Sequence, residues 1–138
     1  MKLVVDASVA VKWYVPEIFE ADADRVLRTA SELHAPELIL PEFSNIIWKK
    51  IRLGEITGPI GRNIVNAFSN ANMTLHSHRH IVKSAFTGAA MSGQTVYDWT
   101  YLALAVALSC ELVTADESFY RSLEATSMRR HLLWIKDV

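Results

Sequence analysis

The sequence has 138 residues, of which 51% are hydrophobic and 21% are charged, and its formal net charge is −1. This length suits one domain with an apolar core, and the composition excludes intrinsic disorder and low-complexity or collagen-like sequence. The single cysteine, Cys110, excludes an internal disulfide framework and a multi-cysteine zinc site.

The first half of the chain predicts alternating strands and helices. Residues 2–5 form a short apolar run without helical spacing, which predicts a buried strand. The elements that follow are a short helix at 8–15 ended by Pro16, a helix at 18–33, a brief strand at 33–35, a helix at 36–54 that Pro41 restarts and Gly54 stops, and a helix at 57–72.

The second half continues the same alternation. Its predicted elements are a weak strand at 73–76, a helix at 81–91, a very apolar helix at 96–109, a strand at 111–114, a helix at 117–125 and a closing strand at 132–135. Short apolar strands that alternate with helices predict an α/β fold with a mostly parallel sheet covered on both faces. With no linker or internal repeat in view, we expect a single domain over residues 1–138.

Four acidic residues stand at the starts of helices or directly after strands. Asp6 follows the first strand and Asp116 follows the strand at 111–114, whereas Glu42 and Asp98 lie in the first turns of predicted helices. In an open parallel sheet, ligands bind beyond the carboxyl ends of the strands. We therefore expect these acids near one edge of the sheet.

Each acid also has a structural interpretation, and the sequence leaves both open. Asp6 and Asp116 suit helix N-caps, Asp98 suits a capping box with Thr95, and Glu42 suits the positive end of a helix dipole. If the four converge, their mutual repulsion calls for a divalent cation, and an all-oxygen ligand set favours Mg²⁺ or Mn²⁺ over zinc. Such a cluster suits metal-assisted phosphodiester cleavage.

The stretches around these acids resemble those of a known family, the PIN domain, and specifically the toxin ribonucleases of VapBC-type toxin–antitoxin pairs. The resemblance spans nearly the whole chain and rests on four stretches in family order, VVDASVAVKW, PEFSNIIWKKIRLGEI, VYDWTYLALAVAL and LVTADESFY. It implies a three-layer α/β/α sandwich whose parallel sheet has the order 3-2-1-4-5. It also implies a Mg²⁺- or Mn²⁺-dependent endoribonuclease, a homodimer and inhibition by a cognate antitoxin.

The resemblance assigns roles to individual residues. It implies that the catalytic and metal-binding residues are Asp6, Glu42, Asp98 and Asp116. It places Ser8 and Thr114 beside the metal site as polar neighbours. Asn45, one helical turn after Glu42, either orients Glu42 or is simply solvated. Lys49, Lys50 and Arg52 follow Glu42 on one helix, where they suit contacts with RNA phosphates.

Two other functions fit parts of the sequence. The first is a non-catalytic interaction module, which would have the same fold but no catalytic activity. A phosphatase with Asp6 as nucleophile commonly needs a second Asp two residues later, and here that position is Ser8.

Several conspicuous residues have no assigned role. His76, His78 and His80 span a predicted strand-to-helix turn and suit a surface loop better than a metal site, and Lys12 either reaches toward a phosphate or packs along the first helix. The aromatic residues predicted to pack in the core are Trp13, Trp48, Trp99 and Tyr101.

The sequence also indicates where in the cell the protein is expected. The N-terminal apolar run is interrupted by Asp6, which does not fit a signal peptide, and no stretch reaches the roughly 18 apolar residues of a membrane span. We therefore expect a cytoplasmic protein without a membrane partner, and the RNA substrate and the antitoxin are the partners that the resemblance implies.

Overall fold

Five short strands form one parallel sheet in the computed structural model, which describes all residues from Met1 to Val138. The strands are β1 (Lys2–Val5), β2 (Glu32–Pro36), β3 (Thr74–His76), β4 (Glu111–Thr114) and β5 (Leu132–Trp134). Their spatial order is β3-β2-β1-β4-β5, and every neighbouring pair is parallel. The predicted parallel sheet and the order that the resemblance implied are confirmed.

Helices connect the strands and cover both faces of the sheet. They are α1 (Ala7–Ala10), which continues as a 3₁₀ turn at Val11–Trp13, α2 (Glu20–Thr29), α3 (Ile39–Arg52), α4 (Gly58–Ser69), α5 (Val82–Ser92), α6 (Val96–Ala107) and α7 (Glu117–Leu123), with 3₁₀ turns at Ser127–His131 and Ile135–Asp137. Leu3, Val4 and Val5 are all buried although successive strand side chains point to opposite faces. Both faces are therefore covered, which makes a three-layer α/β/α sandwich.

Several helix boundaries differ from the predicted ones, and two of the differences have a plain structural reason. The helix predicted at 18–33 ends at Thr29, because residues from Glu32 onward pair with β1. The helix predicted at 36–54 begins only at Ile39, so Pro41 lies in its first turn rather than at a restart. A proline is tolerated there because the first N–H groups of a helix have no partner within it.

One cluster of 25 buried apolar residues forms the core and draws on every strand except β3. Tyr101 on α6 is its largest side chain that is almost fully buried, as predicted. The prediction for Trp48 is wrong, because its side chain is 55% exposed on α3. None of the helices has both the length and the apolar character needed to cross a membrane.

Candidate active site

The carboxyl ends of β1 and β4 lie side by side and bring Asp6 and Asp116 to one edge of the sheet. Val5 and Val113 are register partners in the two strands. Thr114 ends β4, and its hydroxyl donates to Asp6 Oδ2 at 2.6 Å while accepting from the backbone N–H of Asp116 at 3.0 Å. Thr114 therefore joins the two acids.

Ser8 holds the other oxygen of Asp6. Its hydroxyl donates to Asp6 Oδ1 at 2.5 Å and accepts from the backbone N–H of Ala115 at 3.1 Å. The backbone N–H of Val9 also donates to Asp6 Oδ1, at 3.2 Å, so Asp6 is the N-cap of α1. The capping role and the location at the sheet edge thus coexist in one side chain.

The other three acids also stand at helix starts, but only Asp116 caps its helix with its own side chain, and at α6 the cap is Thr95. Asp116 Oδ1 accepts from the backbone N–H of Phe119 at 3.1 Å, and Thr95 Oγ1 accepts from that of Asp98 at 3.1 Å. Glu42 lies in the first turn of α3, and its Oε1 is buried without any hydrogen-bond partner. Helix capping therefore leaves the burial of the Glu42 carboxyl unexplained.

The charges of neighbouring acids contribute to the raised pKa of three members of this group. The pKa of Glu42 is raised to about 7, mainly by burial and in addition by the charges of Asp98 and Asp6. Burial raises the pKa of Asp6 to about 6, against the lowering effect of its hydrogen bonds, and the charge of Asp116 adds to the rise. Burial and the charge of Asp116 also raise the pKa of Asp98. Electrostatic coupling therefore links all four, which we call the acid cluster.

The acid cluster has the donor chemistry of a Mg²⁺ or Mn²⁺ site, because such ions take oxygen ligands and offset repulsion between carboxylates. The buried, unpaired Oε1 of Glu42 is a further point of fit, since a buried carboxylate oxygen without a partner is costly and a cation removes that cost. As the side chains stand, no three His, Cys, Asp or Glu residues lie close enough to hold one ion. Ligation by several acids therefore requires side-chain rotation.

The raised pKa of Glu42 makes the stability of the metal-free protein depend on pH. A carboxyl with a higher pKa in the folded chain binds more protons there, so the free energy of unfolding falls as the pH rises from 4.5 to about 7. Glu42→Gln removes this titration. In EDTA, we expect the difference in melting temperature, variant minus wild type, to increase as the pH rises from about 5 to about 8.

Glu37→Gln is the matched control, because Glu37 is exposed and lies just before the same helix. Its melting temperature relative to the wild type is expected to stay constant over the same pH range. A constant difference for Glu42→Gln as well would contradict the raised pKa.

The structure gives the surroundings of three polar residues with predicted or possible roles. Asn45 is exposed, and the buried Oε1 of Glu42 accepts no hydrogen bond, so Asn45 does not orient that oxygen. Lys12 is only 8% exposed and its Nζ lies 3.1 Å from Glu17 Oε2, while Lys50 Nζ lies 2.6 Å from Glu17 Oε1. Both lysines are therefore held by one carboxylate and are not free to contact phosphates.

One of the three histidines of the 76–80 segment contacts a fourth histidine, on the neighbouring strand. His76 ends β3, and its Nε2 lies 2.9 Å from Nδ1 of His34 on the neighbouring strand. His78 and His80 follow in the connection to α5, so the three span a strand end and a turn. The contact with His34 was not predicted, because the two residues meet only through the pairing of β2 with β3.

The residue that sequence reasoning missed at this site is Tyr101. It was assigned to the core for its ring, which is 2% exposed, but its hydroxyl is buried without a partner. The available signal was its spacing, since Tyr101 follows Asp98 by three residues on α6 and such residues share a helix face.

Comparison with known proteins identifies relatives over nearly the whole chain. The family profile of the PIN domain matches residues 3–122. The chain is 37% identical over 128 residues to Ribonuclease VapC3 of Pyrobaculum aerophilum, a match that covers 91% of this chain and 97% of the relative.

Solved structures share the fold at low sequence identity. Mycobacterium tuberculosis VapC20, described as a toxin that cleaves the sarcin-ricin loop, matches with a TM-score of 0.68 at 11% identity over 88% of this chain and 95% of that one. VapBC2 of Rickettsia felis, solved with a DNA fragment from its promoter, matches with a TM-score of 0.64 at 12% identity over 97% and 98% of the two chains.

Proposed function

This chain belongs to the PIN-domain family, and from that premise we propose that it is a metal-dependent endoribonuclease acting as the toxin of a toxin–antitoxin pair. The proposed metal ligands and catalytic residues are Asp6, Glu42, Asp98 and Asp116. One observation carries the proposal: four electrostatically coupled acids include a buried carboxylate oxygen, Glu42 Oε1, that nothing in the protein satisfies.

In this proposal the acid cluster would hold the ion, and the neighbouring hydroxyls position one of its acids. A Mg²⁺ or Mn²⁺ ion bound there supplies Lewis-acid stabilisation of the phosphodiester oxygens and lowers the pKa of a water. Ser8 and Thr114 fix both oxygens of Asp6. In this proposal Ser8 has a structural task, because its hydroxyl is engaged on both sides, donating to Asp6 and accepting from the backbone N–H of Ala115.

RNA is the proposed substrate. The 37% identical relative is named a ribonuclease, which supports this choice. Lys49 and Arg52 lie on α3 beyond Glu42, are exposed and form no ion pair, so they are available to RNA phosphates. Lys50, which is paired with Glu17, is withdrawn from that set.

The proposal includes the partners and the location that the resemblance implies. A cognate antitoxin, a homodimer, a single PIN-like domain over residues 1–138 and a cytoplasmic location all belong to it. The fold shared with the Rickettsia felis VapBC2 structure supports a protein partner.

Metal removal tests the proposed function. Purified protein incubated with RNA is expected to cleave it in Mn²⁺ or Mg²⁺, and EDTA is expected to abolish cleavage because the carboxylates alone cannot stabilise an anionic transition state. Re-addition of excess Mn²⁺ restores cleavage. Cleavage that persists in EDTA contradicts the proposal, and the absence of Mn²⁺ binding favours a non-catalytic interaction module. A phosphoryl adduct on Asp6 favours a phosphatase.

A further inference from the structure

The hydroxyl of Tyr101 is a buried polar group whose location the core does not explain. The ring belongs to the core cluster and is 2% exposed, which accounts for the burial of its carbon atoms. The hydroxyl oxygen is buried as well and has no hydrogen-bond partner. Buried tyrosine hydroxyls usually have a partner, so an unpaired one calls for a functional explanation.

Tyr101 lies one helical turn after Asp98 on the same face of α6, and helix side chains lean toward the N-terminus, so its side chain leans toward the acid cluster. Burial raises the pKa of Tyr101, and the charges of Glu42, Asp6 and Asp98 raise it further, with Glu42 the largest of the three. A tyrosine hydroxyl has one hydrogen to donate, and carboxylate oxygens are acceptors. Glu42 Oε1, in turn, is a buried acceptor without a donor.

Three other hydroxyl donors near the cluster are already committed. Ser8 and Thr114 both donate to Asp6. Thr100, the neighbour of Tyr101 on α6, donates to the backbone carbonyl of Val96 at 2.7 Å. Among these hydroxyls, only that of Tyr101 is free to donate to Glu42.

We infer that Tyr101 is a positioning residue whose hydroxyl donates a hydrogen bond to the Glu42 carboxylate when a divalent cation is bound, and this inference rests on the proposed function. A carboxylate that ligates a metal is itself hydrogen-bonded in most sites, because the bond fixes its orientation. Asn45, the other candidate for this task, is exposed. In this inference Tyr101, on α6, supplies that hydrogen bond to Glu42, on α3.

The test is the affinity for Mn²⁺ alone, measured by isothermal titration for the wild type and for Tyr101→Phe. We expect the variant to bind Mn²⁺ about tenfold more weakly or worse, as for other residues that support metal ligands. In RNA cleavage, the half-maximal Mn²⁺ concentration rises, while KM for RNA at saturating Mn²⁺ stays unchanged. Without metal, the variant is expected to have a melting temperature equal to or above that of the wild type, because the hydroxyl that it lacks forms no hydrogen bond in the wild type.

A double-mutant cycle separates a bond to Glu42 from a general effect on the fold. In the Glu42→Gln background, Tyr101→Phe is expected to change Mn²⁺ affinity by less than about twofold, because coupled residues are not additive. Tyr97→Phe is the matched control, since Tyr97 lies on the same helix and is 63% exposed. It is expected to leave Mn²⁺ affinity unchanged.

Two results overturn the inference while the proposed function stands. One is a Tyr101→Phe affinity within about twofold of that of the wild type, below the loss typical of supporting residues. The other is an equal loss in the wild-type and Glu42→Gln backgrounds. If the wild type itself binds no Mn²⁺, the proposed metal dependence fails and the inference fails with it.

Discussion

Replacing Asp6 by Asn is expected to lower the rate of RNA cleavage by about a thousand-fold or more. A bound metal contributes several kcal/mol of charge stabilisation in such reactions, and each 1.36 kcal/mol corresponds to about a factor of ten in rate. The neutral amide keeps the Oδ1 acceptor that caps α1 but removes the charge at the centre of the proposed site. Initial rates of cleavage at saturating Mn²⁺ measure the effect.

Two companion variants make this result interpretable. Asp98→Asn changes a different element, α6, and is expected to cause a similar loss. Asp137→Asn changes an exposed acid near the C-terminus and is expected to leave the rate unchanged. Full activity of both Asp6→Asn and Asp98→Asn, in folded protein free of contaminating nuclease, would refute the assignment.

The largest effect on stability is expected from Glu17→Gln. Glu17 binds Lys12 and Lys50 at once, and the side chains of these lysines are only 8% and 13% exposed. Burial alone would raise the pKa of Glu17, but the hydrogen bonds with Lys50 and Lys12 hold it below its usual value. The carboxylate is therefore charged at neutral pH, and removing its charge leaves two poorly solvated ammonium groups without that partner.

We expect Glu17→Gln to lower the free energy of unfolding by about 3 kcal/mol, the lower end of the range for breaking buried ion pairs. Urea unfolding at neutral pH measures it. Glu117→Gln is the matched control, because Glu117 pairs with Arg121 at 2.7 Å but both side chains are more than 60% exposed. An exposed pair contributes little, so the control is expected to lose less than about 0.5 kcal/mol. Equal losses in the two variants would contradict the account of Glu17.

The strands could be predicted from the sequence because their signals are local. The apolar run of β1 and the ELVT stretch of β4 read as buried strands on composition alone, and the structure places them at the centre of the sheet. The end of α2 could not be predicted, because it depends on the pairing of residues from Glu32 onward with β1. Helical spacing by itself carries no information about a partner strand.

The positions of Asp6 and Asp116 at strand ends also followed from local sequence. The bonds around them were less accessible, because Thr114 meets Asp6 only through the pairing of β4 with β1, 108 residues apart in the chain. Lys50 likewise meets Glu17 through the packing of α3, which no spacing rule reveals. A role for the hydroxyl of Tyr101 was not predicted from the sequence, because the aromatic ring and its apolar neighbours predict a core residue.

The most direct test of the central claim is the location of Mn²⁺ by anomalous diffraction from crystals soaked in that ion. The account predicts an anomalous peak whose oxygen ligands include Asp6 and Glu42 or Asp98, with the carboxylates rotated toward it. A structure at saturating Mn²⁺ with no ion among these side chains, or with ions only at unrelated surface residues, would contradict it.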